Sequence, residues 1–252
     1  MLENRKFKIL LLLVGYLIFN VVCDAHACEG KGNTMEIVEK LNEIDKNNQK
    51  TAYLTFDDGP SIYTGKLLDV LNEHDIPGIF FVLGNQLNYV PDADQLLNRM
   101  VKEGHHIALH TVTHDKSVLY HSEKSPTNFT EEMLALKEDI TKRTGHITNL
   151  CRAPYGKKGH FKPAHYQTVE NAGLYCIDWH VDSNDWAAKN ATEVYDEVVK
   201  QLEKYENAQE VVLLFHEYQH TVDALPDVIA YLKAQGFQFE AYVEGKKFKG
   251  LS

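Results

Sequence analysis

The sequence predicts an α/β fold, a single domain in which short parallel strands alternate with helices and roll toward a barrel. Three observations predict it. Seven short apolar runs recur from residue 50 onward, and segments with helical spacing separate them. Strict alternation of this kind calls for parallel strands joined by right-handed crossovers. No Gly-rich dinucleotide turn follows the first run, which favours a (β/α) barrel over a doubly wound open sheet. A chain of 252 residues is long enough for one such domain around one core.

The strands are expected at 52–56, 79–83, 106–110, 150–152, 175–181, 211–215 and 237–243. Between them the apolar residues recur at i, i+3 and i+4. The clearest set is Phe129, Met133, Leu136 and Ile140, with Gly145 as its stop, because glycine takes the left-handed conformation at a helix C-terminus without steric cost. Leu67, Leu68 and Leu71 mark another helix, and so do Leu96, Leu97 and Met100. Val194, Val198 and Leu202 form the next set, followed by Leu225, Ile229 and Leu232.

Residues 1–27 have the order of an export signal. Arg5, Lys6 and Lys8 precede an uncharged stretch from Ile9 to Val22, and Ala25-His26-Ala27 supplies a small-residue cleavage site. Fourteen residues are short for a membrane span, which needs about 20. The expected location is therefore secreted or bound to the cell envelope. A membrane link is expected only through an uncleaved N-terminal segment or a lipid on Cys28. Residues 28–49 read as a linker with one short helix, capped by Thr34 and carrying Ile37, Val38, Leu41 and Ile44 on one face. The remaining domain is expected over 50–245.

Lys and Arg number 26 against 36 Asp and Glu, a net charge of −10. The basic residues form no run longer than a pair, so no nucleic-acid partner is expected. Nothing calls for a second copy, and a monomer is expected. Cys151 and Cys176 lie in apolar runs, which suits either core thiols or a bridge between them.

Polar groups gather at the C-terminal ends of the strands, where barrels carry their chemistry. Thr55-Phe56-Asp57-Asp58-Gly59-Pro60 follows the first strand. Two adjacent carboxylates on a strand point to opposite faces, so one suits a cation and the other a proton. Taken alone, Asp-Gly-Pro is simply turn chemistry. His110-Thr111-Val112-Thr113-His114 follows the third strand. On a helical turn its two imidazoles would share one face, a common metal-ligand spacing. Two histidines and a carboxylate fill three positions of a tetrahedral site and leave the fourth open. Arg152-Ala153-Pro154-Tyr155-Gly156 follows the fourth strand, Asp182 to Trp186 the fifth, and Leu214-Phe215-His216-Glu217 closes the sixth. Asp185 could orient His216 and raise its pKa, making it a general acid. No nucleophile elbow or Cys–His pair competes for the assignment.

These five motifs, in order, resemble those of the polysaccharide deacetylases, the NodB-homology enzymes of carbohydrate esterase family 4. The resemblance spans about residues 50–243. Gly78-Ile79-Phe80-Phe81 stands where the family often has Ala-Thr-Phe-Phe, and Glu217 where Asp is frequent. The resemblance implies a distorted, incomplete (β/α) barrel of about seven parallel strands. It also implies that Asp58, His110 and His114 hold a divalent metal, usually zinc. Asp57 becomes the general base, held by Arg152, and His216 the acid that protonates the leaving amine, supported by Asp185. The backbone N–H of Tyr155 would stabilise the oxyanion, while Trp186 and Leu214 shape the pocket for the acetyl methyl.

The expected activity is metal-dependent removal of N-acetyl groups from N-acetylglucosamine units of a cell-wall or extracellular glycan, with peptidoglycan foremost. Chitin oligomers, poly-N-acetylglucosamine and acetylated xylan are the alternative substrates, and an inactive carbohydrate-binding wall protein is the alternative class. Outside these motifs, His105 and His106 read as solvated or supporting residues, and Asp178, Trp179 and His180 as a packed strand end in preference to a lining of the sugar cleft.

Overall fold

The computed structural model of the protein describes residues 49–251. The export signal, the lead-in helix and Cys28 lie outside the described residues. The elements are β1 (Lys50–Gly59), α1 (Thr64–Glu73), β2 (Gly78–Val82), α2 (Gly84–Tyr89), α3 (Ala93–Lys102), β3 (His106–Leu109), α4 (Lys116–Tyr120), α5 (Ser125–Thr144), β4 (Leu150–Cys151), α6 (Pro163–Asn171), β5 (Tyr175–Cys176), β6 (Val181–Asp182), α7 (Ala191–Leu202), β7 (Glu210–His216), α8 (Gln219–Ala234) and β8 (Phe237–Phe239). The strands run parallel in the order β5-β4-β3-β2-β1-β7-β6. β8 pairs with the first residues of β1, on the edge that β2 takes up further along.

The five helical patterns read from the sequence correspond to α1, α3, α5, α7 and α8. The single strand expected at 175–181 is instead two, which lie on opposite edges of the sheet. Only residues 177–180 separate them. At roughly 3.3–3.6 Å per residue, so short a link can connect the two edges only if the sheet is rolled up. The expected barrel is thus present, incomplete and bridged on one side by a four-residue segment. The last expected strand is also shorter, because after Phe239 the chain turns to pack Tyr242, Phe248 and Leu251 into the buried interior.

Side chains alternate across the sheet and divide the core in two. Ala52, Leu54, Phe56, Phe80, Val82, Ile107, Leu109, Leu213 and Phe215 face the helices and meet Leu68, Leu97, Phe129, Met133 and Leu225. Residues of the other parity, Tyr53, Ile79, Phe81, Ala108, Leu150 and Val212, fill the inside of the roll. Continuing that inner parity along each strand leads to Thr55 and Asp57, His110, Arg152, Leu214 and His216. The apolar plug therefore ends in a polar layer at the C-terminal mouth. Cys151 and Cys176 are register partners on β4 and β5, and both are buried free thiols.

Candidate active site

β1 supplies both carboxylates. Its register against β2 slips between Asp57 and Gly59, and Asp58 has a φ of 70°. This bulge overturns the expectation that adjacent carboxylates must diverge, and Asp57 and Asp58 line the same cleft. A Cβ added at Gly59 would meet the buried Glu217 carboxylate, which would have to shift. The Glu217 carboxylate also receives the Thr64 hydroxyl at the start of α1, which ties the end of β7 to the chain leaving β1.

His110 and His114 do not sit on a helical turn. The segment between them is an irregular loop after β3, with φ of 71° at Thr111 and 57° at His114. The Thr111 hydroxyl accepts the N–H of His114 at 3.1 Å, so the loop closes on its own side chain. This brings the rings together at 5.3 Å between centroids. His110 Nδ1 lies 3.0 Å from the Arg152 carbonyl, a partner that can only accept, so Nδ1 carries the proton and Nε2 keeps a free lone pair.

Asp58, His110 and His114 each offer a ligand atom within 4.8 Å of the others. Asp58 Oδ1 is 3.4 Å from both His110 Nε2 and His114 Nε2. It is buried and has no hydrogen-bond partner, a costly state for a carboxylate oxygen. Burial raises the Asp58 pKa, but interaction with the His110, His114 and His216 rings in their protonated forms outweighs it and holds the carboxyl below its usual range. Burial and the neighbouring His110 lower the pKa of His114, favouring the neutral imidazole that ligates metals. An orphaned carboxylate oxygen between two imidazole nitrogens is a donor set that fits a divalent cation such as zinc.

Asp57 is 3 % exposed and Arg152 fully buried. Arg152 Nη1 donates to Asp57 Oδ1 and to the Thr55 hydroxyl, both at 2.7 Å. Its guanidinium lies over the Phe81 ring at 4.1 Å. Asp57 and His216 are register partners on β1 and β7. His216 Nδ1 is 2.7 Å from Asp185 Oδ1, and the other Asp185 oxygen accepts the His216 backbone N–H and the Thr221 hydroxyl. Asp185 itself follows β6 and is fully buried. Burial disfavours charge on His216, but the hydrogen bond and charge of Asp185, with the charges of Asp57 and Asp58, push its pKa up to about 9.

A cleft of about 480 Å³ opens over these groups. It is lined by Asp57, Asp58, His110, His114, His216, Leu214, Tyr155 and Trp186, while Arg152 and Asp185 stand behind it. Tyr155 and Trp186 are exposed at its rim, at 50 % and 63 %. Trp179, Asp182 and Tyr218 line it too. Trp179 departs from the packed strand end expected from its sequence, because 177–180 is the bridging segment and presents its side chain to the mouth. Tyr218 carried no sequence signal beyond its place two residues after His216. His105 and His106 are buried rather than solvated, and His106 opens β3 at the end away from the cleft.

The polysaccharide deacetylase family model matches residues 44–177. The chain belongs to the polysaccharide deacetylase family. Among curated relatives of this deacetylase, the peptidoglycan-N-acetylglucosamine deacetylase of Bacillus cereus is 31% identical, over 93% of this chain and 89% of the relative. The chitooligosaccharide deacetylase of Bradyrhizobium sp. is 32% identical, over 79% of this chain and 92% of the relative. The solved polysaccharide deacetylase Bc1974 of Bacillus cereus superposes with a TM-score of 0.71 at 30% identity, covering 79% of this chain and 95% of that one. The enzyme is thus a hydrolase of the polysaccharide deacetylase class, and the polar residues at its strand ends gather at one cleft.

Proposed function

We propose that this deacetylase is exported and removes N-acetyl groups from N-acetylglucosamine units of peptidoglycan with a divalent cation, zinc, held by Asp58, His110 and His114. One observation carries the reading: an orphaned Asp58 oxygen between two imidazoles shares its cleft with Asp57 and His216, two groups suited to opposite proton transfers. The likeness to a peptidoglycan-N-acetylglucosamine deacetylase over nearly the whole chain supports the substrate, and the expected export signal supports the location.

When bound, the cation supplies Lewis acidity toward the acetyl carbonyl and the attacking water. Asp57, fixed by Arg152, accepts the proton that the water loses as its oxygen bonds to the carbonyl carbon. The Tyr155 backbone N–H donates to the oxygen that gains charge. His216, held protonated by Asp185, delivers its proton to the amide nitrogen as the C–N bond breaks. Acetate and a free amino sugar leave. Leu214 and Trp186 enclose the acetyl methyl, and Trp186 and Tyr155 offer ring faces to sugar.

The test is acetate release from purified peptidoglycan, chitin oligomers, poly-N-acetylglucosamine and acetylated xylan, with and without a chelator. Peptidoglycan should react fastest, chelation should stop the reaction, and Asp57→Asn should slow it roughly 10²–10⁴-fold. Parental rates in Asp57→Asn would refute the mechanism. A faster reaction with chitin oligomers would move the substrate toward that of the Bradyrhizobium relative. Glycan and zinc binding without acetate release from any polymer would indicate an inactive carbohydrate-binding protein.

A further inference from the structure

The loop joining the two histidine ligands is held in a conformation its own sequence does not favour. Thr111 and His114 both lie in the left-handed region, where side-chain-bearing residues persist only if their surroundings dictate it. Two sets of contacts do so. Gly84 N and Asn85 N, at the start of α2, donate to the carbonyls of Thr111 and Val112 at 3.0 and 2.9 Å. On the other side the loop's N–H groups meet a carboxylate that none of the five motifs contains.

We propose that Glu132 is a positioning residue for the cation site, acting through the loop rather than on substrate. This rests on the reading of Asp58, His110 and His114 as metal ligands. Glu132 Oε2 accepts the backbone N–H of Val112 at 3.0 Å and of Thr113 at 2.9 Å. The Thr113 hydroxyl donates to the same carboxylate, 2.9 Å from Oε1 and 3.0 Å from Oε2. Two successive N–H groups after a left-handed residue form a concavity that binds anions, and Glu132 fills it from within the chain. Its backbone is fixed because Phe129, Met133 and Leu136, on the same stretch of α5, are buried in the core. Carbonyls on one side and N–H groups on the other are thereby pinned, and the spacing of His110 and His114 is set before any cation arrives.

The experiment measures zinc affinity of the metal-stripped chain by competition with a chromophoric chelator, alongside urea unfolding of the same samples. Glu132→Ala should weaken zinc binding about 10–100-fold, the range seen when groups supporting metal ligands are removed. Glu132→Gln should recover most of the loss, because its single carbonyl oxygen can still accept both N–H groups. A purely structural role would move the urea midpoint and leave affinity unchanged. Parental affinity in Glu132→Ala, or equal losses in the alanine and glutamine variants, would overturn the proposal. Thr113→Val, which removes the hydroxyl donated to Glu132 together with the Asp115 N–H contact that hydroxyl accepts at 3.2 Å, should weaken binding roughly fivefold. It carries the test if the alanine variant does not fold, and parental affinity there overturns the proposal. A parent chain that binds no zinc overturns both this inference and the cation site itself, whereas parental binding with an unaffected Glu132→Ala overturns this inference alone.

Discussion

His216 shows how neighbours reverse the effect of burial on a single group. A ring this enclosed should lose its proton easily, yet Asp185 at 2.7 Å, with Asp57 and Asp58 near by, pushes its pKa up to about 9. In the proposed mechanism the departing amine takes its proton from this ring, whose acid form persists through neutral pH and is lost as pH rises through about 9. Asp185→Asn keeps the shape of the side chain but removes its charge. Its activity should begin to fall at a lower pH, and kcat/KM near neutrality should drop roughly 10²–10⁴-fold. Profiles of kcat/KM against pH for the two proteins read this directly, and an unmoved alkaline limb would discard the role given to Asp185. Much of this was legible in the sequence, where Asp185 and His216 stood out by their places after two strands. The Thr221 hydroxyl and His216 N–H that hold Asp185 were not, because such contacts depend on how α8 and β7 meet.

At the level of elements, helices with an apolar stripe could be read from sequence and short or irregular segments could not. α5 has Phe129, Met133, Leu136 and Ile140 on one face and a left-handed Gly145 at its end, with φ 73°. The Gly145 N–H donates to the Thr141 carbonyl at 2.8 Å. Nothing lies within 4 Å of where a Cβ would be, so Gly145→Ala tests backbone strain without a clash. It should cost about 1–2 kcal/mol, read as a lower urea midpoint at unchanged slope, and Gly145→Asn should cost less. An alanine variant as stable as the parent would show that the helix end relaxes. By contrast α2, α4 and α6 carry no clear pattern, and the 110–114 segment, whose His spacing suits a helical turn, is an irregular loop. Its true path depends on contacts with α2 and α5, which no local spacing reveals.

Across the whole molecule, the rolled sheet buries titratable groups as well as apolar ones. Burial lowers the pKa of His105 to about 4, against the charge of Glu103, and that of His106 to about 3, with His146 adding to the effect. Both values lie below the ordinary 6.5, so the native state holds these rings neutral while the unfolded chain protonates them. Their contribution to stability is complete above about pH 6.5 and is lost as pH falls toward 4 and 3. The limiting slope is about 1.4 kcal/mol per pH unit for each proton. Urea midpoints measured between pH 7 and 4 should fall, and a His105→Gln, His106→Gln double variant should show a shallower fall. A double variant whose midpoint falls as steeply as the parent's over that range would contradict the burial of these rings.

The sequence by itself determined the strand–helix alternation, the face each long helix buries, and which residues stand at the strand ends. Hydrophobic periodicity and turn chemistry are local and survive in one dimension. Tertiary structure alone decided that 175–181 spans the two edges of a rolled sheet, that a bulge turns Asp58 into the same cleft as Asp57, and that a carboxylate from α5 pins the histidine loop. Each of these depends on residues distant along the chain meeting in space, and periodicity carries no record of such meetings.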